Sequence, residues 1–238
     1  MNETARPISD GAEKELGQVY KLHTHGEVEL VDYLGTDSSI ASAARTSYQK
    51  SEGKTEEADR KLIKRLWHDR HTSPFEMVNL TFRIRLPIFV MRQHVRHRTA
   101  SLNEWSFRYT KCPELFYAPS EDNVRTQSRT NKQMSGDALP ADSALKAKNI
   151  IEATNKKAYA TYQELLDIGV AREQARVVLP VSAYTQIVWS IDMRNLLHYF
   201  SLRLAEDAQP EIQDYAKIMA DIVQKGWPMI WEAYSAPK

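Results

Sequence analysis

Asn79-Leu80-Thr81-Phe82-Arg83-Ile84-Arg85-Leu86 alternates strictly between polar and apolar side chains. A β-strand turns successive side chains to opposite faces, so Leu80, Phe82, Ile84 and Leu86 share one face. Asn79, Thr81, Arg83 and Arg85 share the other. One apolar and one polar face suit a sheet covered on a single side. Pro87 ends this strand, lacking an N–H for the ladder, and opens a helix through Ile88, Phe89, Val90, Met91 and Val95.

Upstream, Val19 to Leu34 alternates less strictly around a turn at His25-Gly26, which predicts one or two strands. Gly35-Thr36-Asp37 reads as a turn, with Ser38 or Ser39 capping a helix through Ala41, Ala43 and Ala44. Residues 50–54 read as a loop. Thr55 followed by Glu56 and Glu57 starts a helix whose apolar stripe is Ala58, Leu62, Ile63, Leu66 and Trp67. Ser73-Pro74-Phe75-Glu76 has the form of a capping box, with Ser73 as N-cap. Residues 1–17 are polar and read as a flexible leader to a domain at 18–238.

Downstream, Arg98 to Arg108 is expected to be an ordered loop and Phe107 to Tyr117 a strand. Ser120 to Pro140 lacks periodicity and reads as a mobile excursion. Asp142 to Ile168 is a long helix closed by Gly169, followed by a short helix from Ala171 to Val178. Tyr184 to Ile191 is rich in β-branched and aromatic residues and reads as a strand. Asp192 caps a helix from Met193 to about Ala205, and Pro210 opens a last long helix broken at Gly226-Trp227-Pro228. The fold class expected is α+β: a single domain with a mixed or antiparallel sheet flanked by long helices.

Charge is concentrated in one place. Net charge is +1 over 238 residues, yet Arg92 to Tyr109 carries Arg92, Arg96, Arg98 and Arg108 beside His94, His97 and a single acid, Glu104. Guanidinium groups in such excess seek phosphate or carboxylate oxygens, or stack on rings such as Trp105, Phe107 and Tyr109. The alternative is a solvated basic loop. The balanced total charge favours a small anionic ligand over a long nucleic acid. One cysteine, Cys112, rules out an intrachain disulfide and a cysteine zinc site, and fits a reducing cytoplasm. The N-terminal residues lack the apolar core of a signal peptide, and no apolar run reaches membrane-spanning length.

Three chemistries remain open from the residues. His68/His71 and His94/His97 have helical metal-ligand spacing, but neighbouring arginines repel a cation. The basic and aromatic stretch 92–109 would also serve a nucleic-acid-binding module. The third is an enzyme for a nucleotide or phosphorylated cofactor. Arg96, Arg98, Arg108, Arg176, Arg194 and Arg203 would hold its phosphates, with Gln93, Glu104 and Ser106 orienting. No nucleophile has a base partner in its sequence neighbourhood, so a cofactor would supply the chemistry.

Arg96-His97-Arg98, followed after seven residues by Ser106, resembles the signature of the flavin-dependent thymidylate synthases. The resemblance extends to His71–Glu76, Pro87–Gln93, Arg172–Pro180 and Ser190–Arg203, and covers most of the chain. It implies FAD as cofactor, with dUMP, methylenetetrahydrofolate and NADPH as substrates. It also implies a cytoplasmic homotetramer with active sites between subunits and no membrane or nucleic-acid partner. By position it implies FAD contacts from Ser73, Arg96, His97, Arg98, Glu104, Asp192, Arg194 and His198. It implies dUMP contacts from Gln93, His94, Val95, Arg96, Glu104, Trp105, Ser106, Phe107, Arg108, Arg176 and Arg203, with Arg203 catalytic beside the uracil. Asp192 and His198 stand where some members carry asparagine, and Asp207 where histidine is frequent.

Overall fold

The computed structural model describes residues 6–47 and 55–236. The predicted loop at 50–54 and the first five residues of the predicted leader lie outside them. A five-stranded sheet carries the fold, in the order β1 (Val19–Leu22), β2 (Gly26–Leu34), β3 (Asn79–Pro87), β7 (Tyr184–Asp192), β4 (Ser101–Glu104). Every pair of neighbours is antiparallel, which settles the choice between mixed and antiparallel. β5 (Arg125–Gln127) and β6 (Ser135–Ala138) form a separate hairpin.

β3 sits at the centre for the reason its sequence states. Leu80, Phe82, Ile84 and Leu86 are all fully buried, each side chain contributing roughly 1.5–3 kcal/mol of burial free energy. They pack with Ile187, Trp189 and Ile191 of β7 in one continuous core. That face is covered by α7 (Met193–Arg203), α8 (Pro210–Gly226) and α9 (Pro228–Ser235). α2 (Asp37–Thr46) and α3 (Glu56–His68) close the same core from the side. On the opposite face Arg83 meets Glu29 at 2.6 Å and Arg85 meets Glu27 at 3.1 Å, directly across the β2–β3 register. These cross-strand pairs set register more than stability.

Several helices begin as expected. Thr55 accepts from Ala58 N at the start of α3, and Asp192 from Asn195 N at the start of α7. Pro87 is the N-cap of α4 (Ile88–His94). Gly169, at φ 90°, closes the 27-residue α5 (Ala141–Asp167), because a residue with a Cβ is disfavoured there. α6 (Arg172–Ala175) continues into a 3₁₀ turn, Arg176–Val178.

Other expectations are corrected. The supposed leader contains α1 (Asp10–Glu15), capped by Ser9 and packed on α8 with Ala12 fully buried. α2 is capped by Thr36, not by Ser38 or Ser39, although Ser39 returns a bond to the Thr36 N–H as the second half of the box. Ser73 is not an N-cap: Ser73–Met77 is a 3₁₀ turn preceded by Thr72, with no side-chain cap. Part of the expected loop at 98–108 is β4, an exposed edge strand paired with β7.

Phe107–Tyr117 forms no strand, only an isolated bridge between Phe116 and Ala183. The segment is tied to α5 instead: Cys112 N donates to Tyr162 Oη at 3.1 Å, and Asn155 Nδ2 donates to Tyr117 O at 3.1 Å. Within 120–140, a 3₁₀ turn at Glu121–Asn123 leads into the β5–β6 hairpin, stitched by Gln127 Nε2 donating to Met134 O at 2.9 Å.

Candidate active site

The C-terminal end of α4 and one face of α7 meet at the edge of the sheet. α4 stops at His94 with Val95 as its C-cap. Arg96 N then bonds Gln93 O, and His97 N bonds His94 O, so Arg96-His97-Arg98 leaves the helix as a tight turn. Opposite this turn lie Asn195, His198, Leu202 and Arg203 of α7. Together with Thr99 and Ile191 the two segments line a concavity of about 250 Å³.

Arg203 is the hinge of the site. Its Nε–H donates to His97 Nε2 at 3.0 Å and its Nη2 to Gln93 O at 3.2 Å. Among the described residues Nη1 has no partner, so both of its protons remain for a ligand. Burial, then the Arg203 charge, then His198 hold the His97 pKa down at about 4. His97 is therefore neutral at pH 7 and accepts at Nε2, which leaves its proton on Nδ1. Arg96 and Arg98 flank it, both exposed, and among the described residues neither has a carboxylate within 4.0 Å.

His94 is fully buried, so its side chain supports the site from behind, and of this expected dUMP residue only the main chain can face a ligand. Its ring lies 4.3 Å from that of Trp189 and 5.2 Å from that of Tyr199, centroid to centroid. Tyr199 in turn stacks edge-on to His97 at 4.7 Å. Sequence reading missed this backing layer. Trp189 and Tyr199 carried no signal beyond their apolar spacing.

Arg194 lies away from this concavity. Its Nε donates to Thr72 Oγ1 at 3.0 Å and stands 3.6 Å from Glu76 Oε1, which anchors α7 to the 3₁₀ turn that carries Ser73. The Asp192 carboxylate is committed to its cap: Oδ1 accepts from Asn195 N at 2.9 Å and Oδ2 from Asn195 Nδ2 at 2.6 Å. Asn195 was legible as the third residue after an N-cap aspartate, although it was not singled out. Glu104, at the end of β4, accepts from Thr185 Oγ1 at 2.8 Å.

A second basic patch gathers separately. Arg108 pairs with Glu173 at 3.2 Å, and Arg172 Nη1 donates to Tyr109 O at 3.0 Å, around a cavity of about 570 Å³. Ser106 accepts from Arg108 N, and exposed Arg176 lies one turn beyond Arg172. Trp105 Nε1 bonds Thr110 Oγ1 at 2.6 Å. Phe107 is buried with Cys112, Tyr162 and Ala175, so its ring belongs to the core and only its main chain can face a ligand. Within this chain the Arg108–Arg176 patch and the Arg96–Arg203 concavity remain distinct surfaces.

Cys112 is no nucleophile. Its thiol is buried and burial pushes its pKa up to about 12, so no thiolate is available at neutral pH. The site offers guanidinium groups and imidazoles, a set suited to phosphates and to delocalised negative charge.

The same chain matches the family model described as "Thymidylate synthase complementing protein" over residues 29–229. The flavin-dependent thymidylate synthase of Wolbachia pipientis wMel is 42% identical over 235 residues, covering 98% of this chain and 82% of that protein. That of Thermus thermophilus is 48% identical over 210 residues, covering 88% of this chain and 75% of that one. Among solved structures, a UMP/dUMP methylase, PolB, from Streptomyces cacaoi bound with 5-Br dUMP superposes with a TM-score of 0.82. Sequence identity there is 34%, over 91% of this chain and 97% of that one. With no usable cysteine, an arginine-rich concavity and relatives of this closeness along nearly its whole length, the chain belongs to the flavin-dependent thymidylate synthase family.

Proposed function

We propose that the Arg96–Arg203 concavity and the Arg108–Arg176 patch are two halves of an active site that a homotetramer brings together between subunits. The reaction is the reductive methylation of dUMP to dTMP, with methylenetetrahydrofolate as carbon donor, FAD as hydride carrier and NADPH as reductant. A cytoplasmic location goes with this reading. Among the described residues no helix is long and apolar enough to cross a membrane.

The residues fit FAD by their donor set. Arg96 and Arg98 flank a neutral imidazole and lack carboxylate partners among the described residues, as a diphosphate site requires. Ser73, Arg96, His97, Arg98, Glu104, Asp192, Arg194 and His198 would hold the cofactor. Asp192 would do so through its main chain, since its carboxylate is taken by Asn195. When bound, the flavin supplies the hydride.

The chain's own residues do the rest. Ser106, Arg108 and Arg176 would grip the nucleotide, while Gln93, Val95, Glu104, Trp105 and the main chain of Phe107 would shape its seat. Arg203 would stand beside the uracil, its Nη1 free. A guanidinium there stabilises negative charge on the ring as the N3 proton becomes acidic, which raises electron density at C5. His97, as a neutral acceptor, keeps that guanidinium aimed without competing for the charge.

The observation that carries this reading is the bond between Arg203 and His97 in a concavity edged by two arginines that have no carboxylate partner among the described residues. The test is an absorbance spectrum of the purified protein with FAD, before and after addition of dUMP. A flavin spectrum perturbed by dUMP is expected. A protein that takes up no FAD and instead shifts RNA in a salt-dependent manner would overturn it.

A further inference from the structure

A chain of side-chain hydrogen bonds runs from the end of α4 to a carboxylate in the first turn of α8. Gln93 Nε2 donates to Gln209 Oε1. Gln209 Nε2 donates to Glu211 Oε2 at 2.7 Å. The Tyr117 hydroxyl donates to Glu211 Oε1 at 2.9 Å. All four side chains are at least partly buried, so solvent does not readily substitute for a missing partner.

Glu211 is the one acceptor here that cannot reverse. An amide presents either end, but an ionised carboxylate only accepts. Glu211 therefore demands the NH₂ of Gln209. That turns the Gln209 carbonyl toward Gln93 and so demands the NH₂ of Gln93. Tyr117 cannot upset the order. Burial and the adjacent Glu211 raise its pKa well above the usual tyrosine value, so it stays a donor.

What is left at Gln93 is Oε1, which has no donor within hydrogen-bond reach among the described residues. The main-chain oxygen of the same residue holds Arg203, so the free carbonyl and the guanidinium are set from one helix end.

We propose that Glu211 is a positioning residue for base selection. Acting through Gln209, it fixes the Gln93 amide with its carbonyl free, so the site takes a pyrimidine that offers a ring N–H and rejects one whose ring nitrogen is a bare acceptor. Uracil has such an N3–H; cytosine has a lone pair at that position. A carbonyl facing the first forms a hydrogen bond, and facing the second is repelled. The inference rests on the reading above, in which Gln93 lines the dUMP site.

The test compares equilibrium binding of dUMP and dCMP to the FAD-loaded enzyme, wild type and Glu211→Gln. An amide at 211 accepts or donates, so the whole chain is free to reverse. Wild type should prefer dUMP by about 100-fold or more, and Glu211→Gln should narrow that ratio by roughly tenfold with FAD content unchanged. Tyr117→Phe leaves the carboxylate and both amides in place and should keep the ratio.

Equal weakening of both nucleotides in Glu211→Gln, or an unaltered ratio, overturns the inference. Should Glu211→Gln fail to fold or to load FAD, Gln209→Met breaks the same chain, and a wild-type ratio in that variant overturns it equally. A wild-type protein that binds no dUMP overturns the functional reading and this inference with it. A dUMP-binding wild type whose variants keep its selectivity overturns this inference alone.

Discussion

Arg203 Nε donates to His97 Nε2 across 3.0 Å, so two side chains that would repel as cations are joined as donor and acceptor. The arrangement requires an uncharged imidazole. Burial and the guanidinium itself supply that by holding the His97 pKa at about 4. The pair therefore persists through the physiological pH range and breaks only in strong acid.

Arg203→Ala should lower kcat by roughly 10²–10³-fold, the usual loss when a preorganised donor to developing charge is removed. Bound FAD should stay stoichiometric, because Arg96 and Arg98 remain. Arg203→Lys should recover little, since a lysine cannot bridge His97, Gln93 O and a ligand with one planar fork. Turnover measured alongside flavin absorbance separates the two effects. Loss of FAD in parallel with turnover would count against the assigned role.

His94 should make the fold acid-sensitive. Its pKa is about 3, lowered first by burial and then by the charges of His97 and Arg203, and among the described residues both ring nitrogens lack partners. The unfolded chain takes up this proton first. The contribution is therefore complete above about pH 6.5 and is lost as pH falls toward 3. Between pH 7 and pH 5 it amounts to about 2 kcal/mol. His94→Phe should flatten the acid limb of a urea-unfolding series by about that much.

Asp37 should act in the opposite sense. It accepts from Met229 N at 3.2 Å and Ile230 N at 3.1 Å at the start of α9, yet burial outweighs these bonds and pushes its pKa up to about 6. A raised pKa means its contribution is complete below about pH 4 and is lost as pH rises through 6. Asp37→Asn removes that dependence. The stability difference, wild type minus variant, should fall by about 2.4 kcal/mol from pH 4 to pH 7. A difference constant across that range would refute the account.

Cys112→Ala should keep turnover within about twofold of wild type, because a buried thiol with a pKa near 12 performs no nucleophilic step. The native enzyme should also react slowly with thiol reagents until it is unfolded. Inactivation by rapid alkylation of the native protein would point to a cysteine mechanism.

How far the sequence could be read depended on how much each segment buries. β3 was plain because four of its side chains vanish into one core, and Asp192 and Thr55 were plain because capping is local chemistry. β4 was hidden because Ser101–Glu104 is exposed throughout and pairs only through its backbone with β7. Phe107–Tyr117 misled because its main chain, at Cys112 N and Tyr117 O, is held by Tyr162 and Asn155 of α5, partners far away in sequence, and not by a neighbouring strand.

In the site, the arginines announced themselves through charge excess and the Arg-His-Arg spacing. The link from Gln93 to Glu211 did not, since nothing in either segment alone encodes an amide's orientation. Ser73 looked like a cap because its neighbours are right for one, but Thr72 begins the turn and the turn is 3₁₀.

The contact between α1 and α8 bears on how this enzyme can be cut and fused. A Cβ at Gly11 would meet Lys225 O at 2.0 Å, and Ser9 Oγ donates to Gly226 O at 2.5 Å. The N-terminal helix is thus a clasp over the bend that holds Trp227, whose indole is fully buried and bonds Gly35 O at 3.1 Å. Trimming the protein back to the segment that the family model matches, 29–229, would remove that clasp together with β1 and most of α9, and wet the bend beneath it. Purification handles belong ahead of Ile8, and a shortened variant that misbehaves would be reporting a lost fastening, with its catalytic groups intact.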